Sequence, residues 1–249
     1  MMFKSLRVRL SQGRQFIPDV RSARPIGFRG LPKIAPGPCG AGCDACAASC
    51  PTGAIRIDPV SIDLGRCIFC SECVIACPEA KIELTPEPRM GSASREDLVV
   101  TASAEERTKI RANEGFAKLF KRSLKLRQVS AGGCNGCELE LNATANVNFD
   151  LQRYGIEWVA SPRHADALVL SGTLTRTMKD AVRLAWDAMS EPRFVVAVGA
   201  CAISGGLYDG AHGVERSFLD EVIPALYVPG CPPHPLTFVN AILDVLGVP

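Results

Sequence analysis

The chain has 249 residues, 47% of them hydrophobic and 22% charged, with 22 Gly, 18 Pro, twelve Cys and a net charge of +2. That length suits two domains, and that composition excludes a disordered or fibrous chain. No apolar run reaches the roughly 18–20 residues that cross a bilayer, and the basic N-terminus lacks the uninterrupted apolar core of a secretory signal, so a cytoplasmic protein is expected.

The charge is unevenly placed. Residues 1–37 hold eight Lys or Arg against one Asp, a net +7, and residues 105–127 hold eight against three acids, a net +5, so the remainder is acidic. Basic segments of this kind either touch an anionic surface, such as lipid head groups or an acidic partner, or are simply solvated. In the first, a basic N-terminal arm over 1–37, Phe3, Leu6 and Leu10 stand at helical spacing beside Lys4, Arg7, Arg9 and Arg14, the pattern of an interfacial helix on anionic lipid.

The cysteines begin at residue 39. Twelve thiols in a reducing compartment point to metal ligation rather than to disulfides. Cys67, Cys70, Cys73, Cys77 and Pro78 match the bacterial ferredoxin run C-x2-C-x2-C-x3-C-P, and Cys39, Cys43, Cys46, Cys50 and Pro51 repeat it with one extra residue in the first gap. Three closely spaced thiolates reach three corners of one cubane, and the fourth reaches the other cluster. Cys39, Cys43, Cys46 and Cys77 are therefore one expected set, and Cys67, Cys70, Cys73 and Cys50 the other. Each run is followed by a short strand pattern, at 53–57 and 80–84, which marks an internal duplication. Zinc also accepts four cysteines with C-x2-C spacing, but the fourth cysteine, the trailing proline and the repeat speak for iron–sulfur clusters. Residues 38–88 thus resemble a two-cluster ferredoxin, an α+β domain.

Residues 85–104 are rich in Pro, Ser and charge and read as a linker. From 105 to 126, Ile110, Phe116, Leu119, Phe120 and Leu124 alternate with Lys118, Lys121, Arg122 and Lys125, a basic amphipathic helix that either packs on a domain or serves as a docking arm. Linker and helix together occupy 89–126.

Beyond lies a second domain, 127–249. Strands are expected at 125–129, 156–160, 167–171, 194–199 and 226–229, with helices near 138–146, 177–189 and 236–246. That alternation predicts an α/β flavodoxin-like doubly wound sheet. Ligands of such sheets bind outside the carboxyl ends of the strands, where Cys134 and Cys137, Cys201 and Cys231 all fall, so these four are expected to hold a third 4Fe-4S cluster. Gly132, Gly133, Gly136 and Gly230 would let the loops fold closely around it. Thr173 either points into the same crevice or belongs to a helix cap near Thr175 or Thr177.

The stretches Gly133-Cys134-Asn135-Gly136-Cys137-Glu138, Ser161-Pro162-Arg163-His164-Ala165-Asp166, Gly199-Ala200-Cys201 and Pro229-Gly230-Cys231-Pro232-Pro233 resemble the small electron-transfer subunit of complex-I-related, membrane-bound nickel–iron hydrogenases and formate hydrogenlyases. In the homologous 20 kDa subunit of complex I the first two cysteines are adjacent, whereas Asn135 and Gly136 separate them here, which favours the hydrogenase side. The segment 202–229 is short for the family. The ferredoxin half resembles the separate two-cluster subunit of the same complexes, so the chain reads as a fusion of the two.

The resemblance implies an oxidoreductase subunit with no catalytic centre of its own, three 4Fe-4S clusters, a large nickel–iron-type partner, further complex-I-like subunits including a membrane arm, and attachment to the cytoplasmic face of the inner membrane. A quinone-linked, NADH dehydrogenase-like complex without nickel is the alternative. Of the three histidines, His164 is a candidate for docking, while His212 and His234 lack ligand spacing. Glu138 is either a proton relay or a first-turn carboxylate favoured by the helix dipole. Aromatic residues make up 6% of the chain and offer no stacking platform, so nucleic acid is not an expected partner.

Overall fold

The computed structural model describes residues 2–13, 15–102, 114–120 and 123–248. It opens on helix α1 (Met2–Gln12), whose Phe3, Leu6, Val8 and Leu10 are all exposed. Arg14 lies outside the described residues, and from Ile17 on the basic arm is packed against the body of the chain. Val20 is buried against the last helix of the chain, and Arg21 donates to the carbonyl and side chain of Asn240 while pairing with Asp244. Arg24 pairs with Glu87 and Arg29 donates to the Cys70 carbonyl at 3.1 Å, so three cations expected to face an outside partner are engaged within the chain.

The first module contains β1 (Pro32–Ile34), α2 (Ala45–Ala48), β2 (Ile55–Ile57), β3 (Val60–Asp63), α3 (Glu72–Ala76), β4 (Ile82–Leu84) and β5 (Val99–Thr101). β1 pairs antiparallel with β4, and β2-β3-β5 form an antiparallel sheet in which Ile55 faces Ile62 and Ile62 faces Val100. The two strands that follow the cysteine runs, β2 and β4, thus sit in different sheets. Ile62, Leu64, Ile82, Met90 and Leu98 fill the space between them, each burial contributing about 1.5–3 kcal/mol.

β5 corrects the linker reading. Residues 85–102 are built into the fold: Leu98 is wholly buried, Met90 nearly so, and Ser92 forms an antiparallel bridge to Tyr227 of the second module. Prolines and charges concealed this because the few apolar side chains that anchor the segment are irregularly spaced. The expected basic helix is observed as α4 (Glu114–Phe120), whose Phe116 and Phe120 pack on Phe194 at ring separations of 4.6 and 5.7 Å. Phe116 and Phe120 are therefore turned inward, while Leu119 is exposed. Ile110, Lys121 and Arg122 lie outside the described residues, and Leu124 and Lys125 belong to the next strand.

The second module is a five-stranded parallel sheet of β6 (Leu124–Ser130), β7 (Ile156–Trp158), β8 (Ala167–Ser171), β9 (Phe194–Val198) and β10 (Leu226–Val228), in the order β7-β6-β8-β9-β10. Every residue of β8 and β9 is buried, as befits strands covered on both faces. Helices α5 (Gly136–Ala143) and α9 (Pro235–Val245) share one core with the sheet. α6 (Lys179–Asp187) and α8 (Ser217–Glu221) form the other. A short helix, α7 (Gly199–Ser204), starts where β9 stops. Ala202 and Ile203 of α7, with Tyr227, enter the core of the first module, so the two modules share buried side chains.

Candidate metal centres

All twelve cysteines are free thiols. In the first module each run winds through a loop and one turn of helix. Phe69 and Ser71, at φ of 55° and 75°, curl the second loop tightly, and Cys46 is buried on α2. The fourth cysteine of each run receives the same contact: Ala54 N–H points at Cys50 Sγ and Lys81 N–H at Cys77 Sγ, both at 3.3 Å. The duplication legible in the sequence thus extends to the hydrogen bonding of sulfur.

The electrostatics show which thiols stand together. Burial pushes Cys67 up to about 12, with Cys73, Cys50 and Cys70 adding to the effect. Cys73 is pushed up to about 11 by burial, then by Cys70, Cys50 and Cys46. Burial also raises Cys46, and its next contributors are Cys77 and, more weakly, Cys39. Cys50 thus lies near Cys67 and Cys73 of the second run, and Cys77 lies near Cys46 of the first. Cys50, Cys67, Cys70 and Cys73 line one cavity, walled by Ile55, Ile62 and Phe69. Cys39 and Cys43 line a separate groove with Ile34 and Val60.

In the second module Cys134 precedes α5, Cys137 lies in its first turn, Cys201 is on α7 and Cys231 follows β10. Burial raises Cys137, and Glu138, Cys201, Cys231 and Cys134 all raise it further. Cys201 is pushed up to about 11 by burial and then by Cys231 and Cys134. The four thiols thus converge at the carboxyl edge of the sheet. Space for them is made by missing side chains: a Cβ on Gly199 would sit 2.7 Å from Cys137 Sγ, one on Gly206 would sit 3.3 Å from Cys201 Sγ, and one on Gly136 would sit 3.5 Å from Cys134 Sγ. Cys134 and Cys231 are exposed, so the group opens outward.

Glu138 is buried. Desolvation pushes its carboxyl up, but hydrogen bonds from Ser130 and from Ser171, whose hydroxyl donates at 2.8 Å, outweigh that and hold it below the usual carboxylate range. Thr173 is buried as well and donates to the Gly132 carbonyl at 3.3 Å, bracing the Cys134 loop rather than capping a helix. Arg163 and His164 occupy an exposed turn at the amino end of β8, the end opposite the cysteines, so the structure separates His164 from the site.

Two residues that sequence reasoning passed over are near the thiols. Arg216 donates to the carbonyls of Cys201, Ala202 and Ile203 at 3.0, 2.8 and 2.9 Å, gripping the end of α7. His234 caps α9 by accepting from Leu236 N–H at 3.1 Å, and burial lowers its pKa. With Arg29, Ile68, Phe69, Glu140 and Cys231 it lines a cleft between the modules. Arg216 carries no local signal because its partners on α7 are brought in by the tertiary fold, whereas the His234 cap is local, His234 standing directly before Pro235 at the start of α9. His212 is exposed, and its carbonyl accepts from Arg176.

A fold with a duplicated cysteine module and a thiol-bearing parallel sheet defines an iron–sulfur protein of two parts. Residues 38–81 match the model of the 4Fe-4S dicluster domain, and residues 134–245 match that of the NADH ubiquinone oxidoreductase 20 Kd subunit. Formate hydrogenlyase subunit 7 of Escherichia coli is 40% identical over 132 residues, 53% of this chain and 51% of that protein. The probable membrane-bound hydrogenase subunit mbhJ of Pyrococcus furiosus is 34% identical over 132 residues, 53% of this chain and 78% of that protein. A subunit of the NADH-quinone oxidoreductase of Citrifermentans bemidjiense is 42% identical over 110 residues, 44% of this chain and 64% of that protein. The chain belongs to the family of the NADH ubiquinone oxidoreductase 20 Kd subunit and carries a 4Fe-4S dicluster domain ahead of that region. It spans about half the length of the Escherichia coli relative. Among the described residues, no helix is long and apolar enough to cross a membrane.

Proposed function

We propose that this chain is the electron-transfer subunit of a complex-I-related nickel–iron hydrogenase or formate hydrogenlyase type complex, passing electrons through three 4Fe-4S clusters to or from a catalytic large subunit. The observation that carries this reading is the regrouping of thiols, with Cys50 beside Cys67 and Cys73, Cys77 beside Cys46, and Cys201 beside Cys134, Cys137 and Cys231. Cys50, Cys67, Cys70 and Cys73 around one cavity, with apolar walls and backbone N–H groups aimed at the sulfurs of Cys50 and Cys67, form a donor set suited to a cubane.

Cys39, Cys43, Cys46 and Cys77 would hold one cluster, Cys50, Cys67, Cys70 and Cys73 a second, and Cys134, Cys137, Cys201 and Cys231 the third. When bound, each supplies a reversible one-electron centre. The chain fixes the thiolates, excludes water with Ile55, Ile62 and Phe69, and donates N–H groups that tune the potential. Its own side chains perform no bond-making chemistry, and nucleic acid has no part in this reading.

The sheet order, which we read as flavodoxin-like, delivers the third set to one edge. The exposed side of that set, at Cys134 and Cys231, is where we place the large nickel–iron-type subunit, with exposed Leu139 on neighbouring α5. Lys4, Arg7 and Arg9 on exposed α1 suit the anionic cytoplasmic face of the inner membrane, close to a membrane arm of complex-I-like subunits. Likeness to the NADH-quinone oxidoreductase of Citrifermentans bemidjiense supports a second reading, the equivalent subunit of a quinone-linked complex without nickel.

Purified without oxygen, the chain should contain about twelve iron and about twelve acid-labile sulfide atoms. Coexpressed with its large subunit, it should be reduced by hydrogen. Zinc in place of iron would overturn the cluster assignment, and reduction by quinol but not by hydrogen would transfer the chain to the second reading.

A further inference from the structure

The modules meet at a point where a side chain is missing. Gly65 lies two residues before Cys67, against Ile203, which lies two residues after Cys201. A Cβ at position 65 would stand 2.7 Å from Ile203 Cγ2 and 2.8 and 2.9 Å from Arg95 Cζ and Nη1. The φ of Gly65 is outside the left-handed region, so glycine serves here for closeness rather than for backbone freedom.

Neither obstacle is free to retreat. Ile203 is buried in the core common to both modules, on a helix whose final carbonyls Arg216 holds. Arg95 is fixed by a two-pronged pair to Asp63 at 2.8 and 2.6 Å, and the same carboxylate accepts from Gly65 N–H at 2.8 Å. Beside this contact Arg66 pairs with Asp209 at 2.7 Å, a further tie between the modules.

We propose that Gly65 is a positioning residue that sets how closely the loop bearing Cys67 approaches the helix bearing Cys201, and with it the separation of the second and third redox centres. The inference rests on the three-cluster reading above. Electron tunnelling falls steeply with distance, so a contact that fixes the gap also fixes the rate across it. Any side chain at position 65 has to wedge the two cysteine-bearing elements apart.

The test uses the full chain, purified without oxygen, as wild type, Gly65→Ala, Gly65→Val and Gly65→Ala with Ile203→Ala. The single variants should keep the iron and sulfide content of the wild type while the magnetic interaction between reduced clusters, read as line broadening by electron paramagnetic resonance, weakens. The loss should be greater for valine than for alanine. The double variant, freed of the clash with Ile203 while that with Arg95 stays, should recover part of the broadening lost in Gly65→Ala. If a single variant fails to load or fold, recovery of loading in the double variant supports the size complementarity, and failure to recover it overturns the proposal. Full iron content with unchanged broadening in Gly65→Val also overturns it. A wild-type chain lacking about four iron atoms for each of three clusters would instead overturn the cluster reading.

Discussion

Gly199 offers a direct way to break one centre without touching a cysteine. Its φ is +86°, and a Cβ there would lie 2.7 Å from Cys137 Sγ and 3.5 Å from the Gly230 carbonyl oxygen. Holding an L residue in the left-handed conformation costs about 1–2 kcal/mol. Forcing a carbon into filled space costs about 1–3 kcal/mol more. A loss near 3 kcal/mol leaves most of a total stability of about 5–15 kcal/mol, so Gly199→Ala should still fold. At about 2–4 °C per kcal/mol for a chain of this size, its Tm should fall by about 6–12 °C. The chemical effect is sharper. Cys137 escapes the new carbon by rotating its sulfur away from Cys134, Cys201 and Cys231, so iron in the anaerobically purified variant should drop from about twelve atoms to about eight. Thermal unfolding and iron analysis on the same preparation read both effects. A Gly199→Ala chain with wild-type iron and unchanged Tm would refute the steric argument.

The remaining expectations concern the core, the crossed thiols and pH. Leu98→Ala, in the segment whose composition suggests a linker, should cost about 3–5 kcal/mol in a urea titration, because Leu98 is wholly buried; a loss within about 0.5 kcal/mol would mark it as a surface residue. Cys43→Ser with Cys77→Ser should remove one cluster and leave about eight irons, whereas fourth cysteines that served their own runs would leave about four. In the iron-free chain Cys201 and Cys67 are pushed up to about 11 and about 12 from the ordinary 9.0, so the fold retains protons that the unfolded chain sheds. That contribution to stability is complete below pH 9.0 and is lost as pH rises through the folded values, so the Tm of the iron-free chain should decline between about pH 9 and 12. The loaded chain, with its thiolates already deprotonated by metal, should lack this decline.

Short-range patterns carried most of what was legible beforehand. The strand expected at 167–171 is β8 residue for residue, because a run of five buried apolar or small side chains admits few other readings. The prolines and spacing of the two cysteine runs were equally plain. Other features depend on partners distant in sequence. Arg216 looks like any surface arginine until α7 is brought beneath it, and α7 itself, six residues long, is too brief to show a helical period. His164 follows the opposite course: its neighbours in sequence suggest function, but the direction of β8 carries it to the far end of the sheet. Segment 85–102 misleads for a third reason, since its burial relies on isolated residues such as Met90 and Leu98 instead of a periodic stripe.

The bridge between Ser92 and Tyr227 has implications for how the two halves could ever be handled apart. β10 is the outermost strand on its side of the sheet, and a bare outer strand invites pairing with other molecules. Here the N–H and carbonyl of Ser92 meet those of Tyr227 at 3.0 and 2.8 Å, so the first module acts as the hem of the second. Severing the polypeptide after residue 102 and expressing the C-terminal portion alone would leave that border frayed, and the product would be prone to stick to itself. The two halves are better regarded as one garment than as beads on a thread.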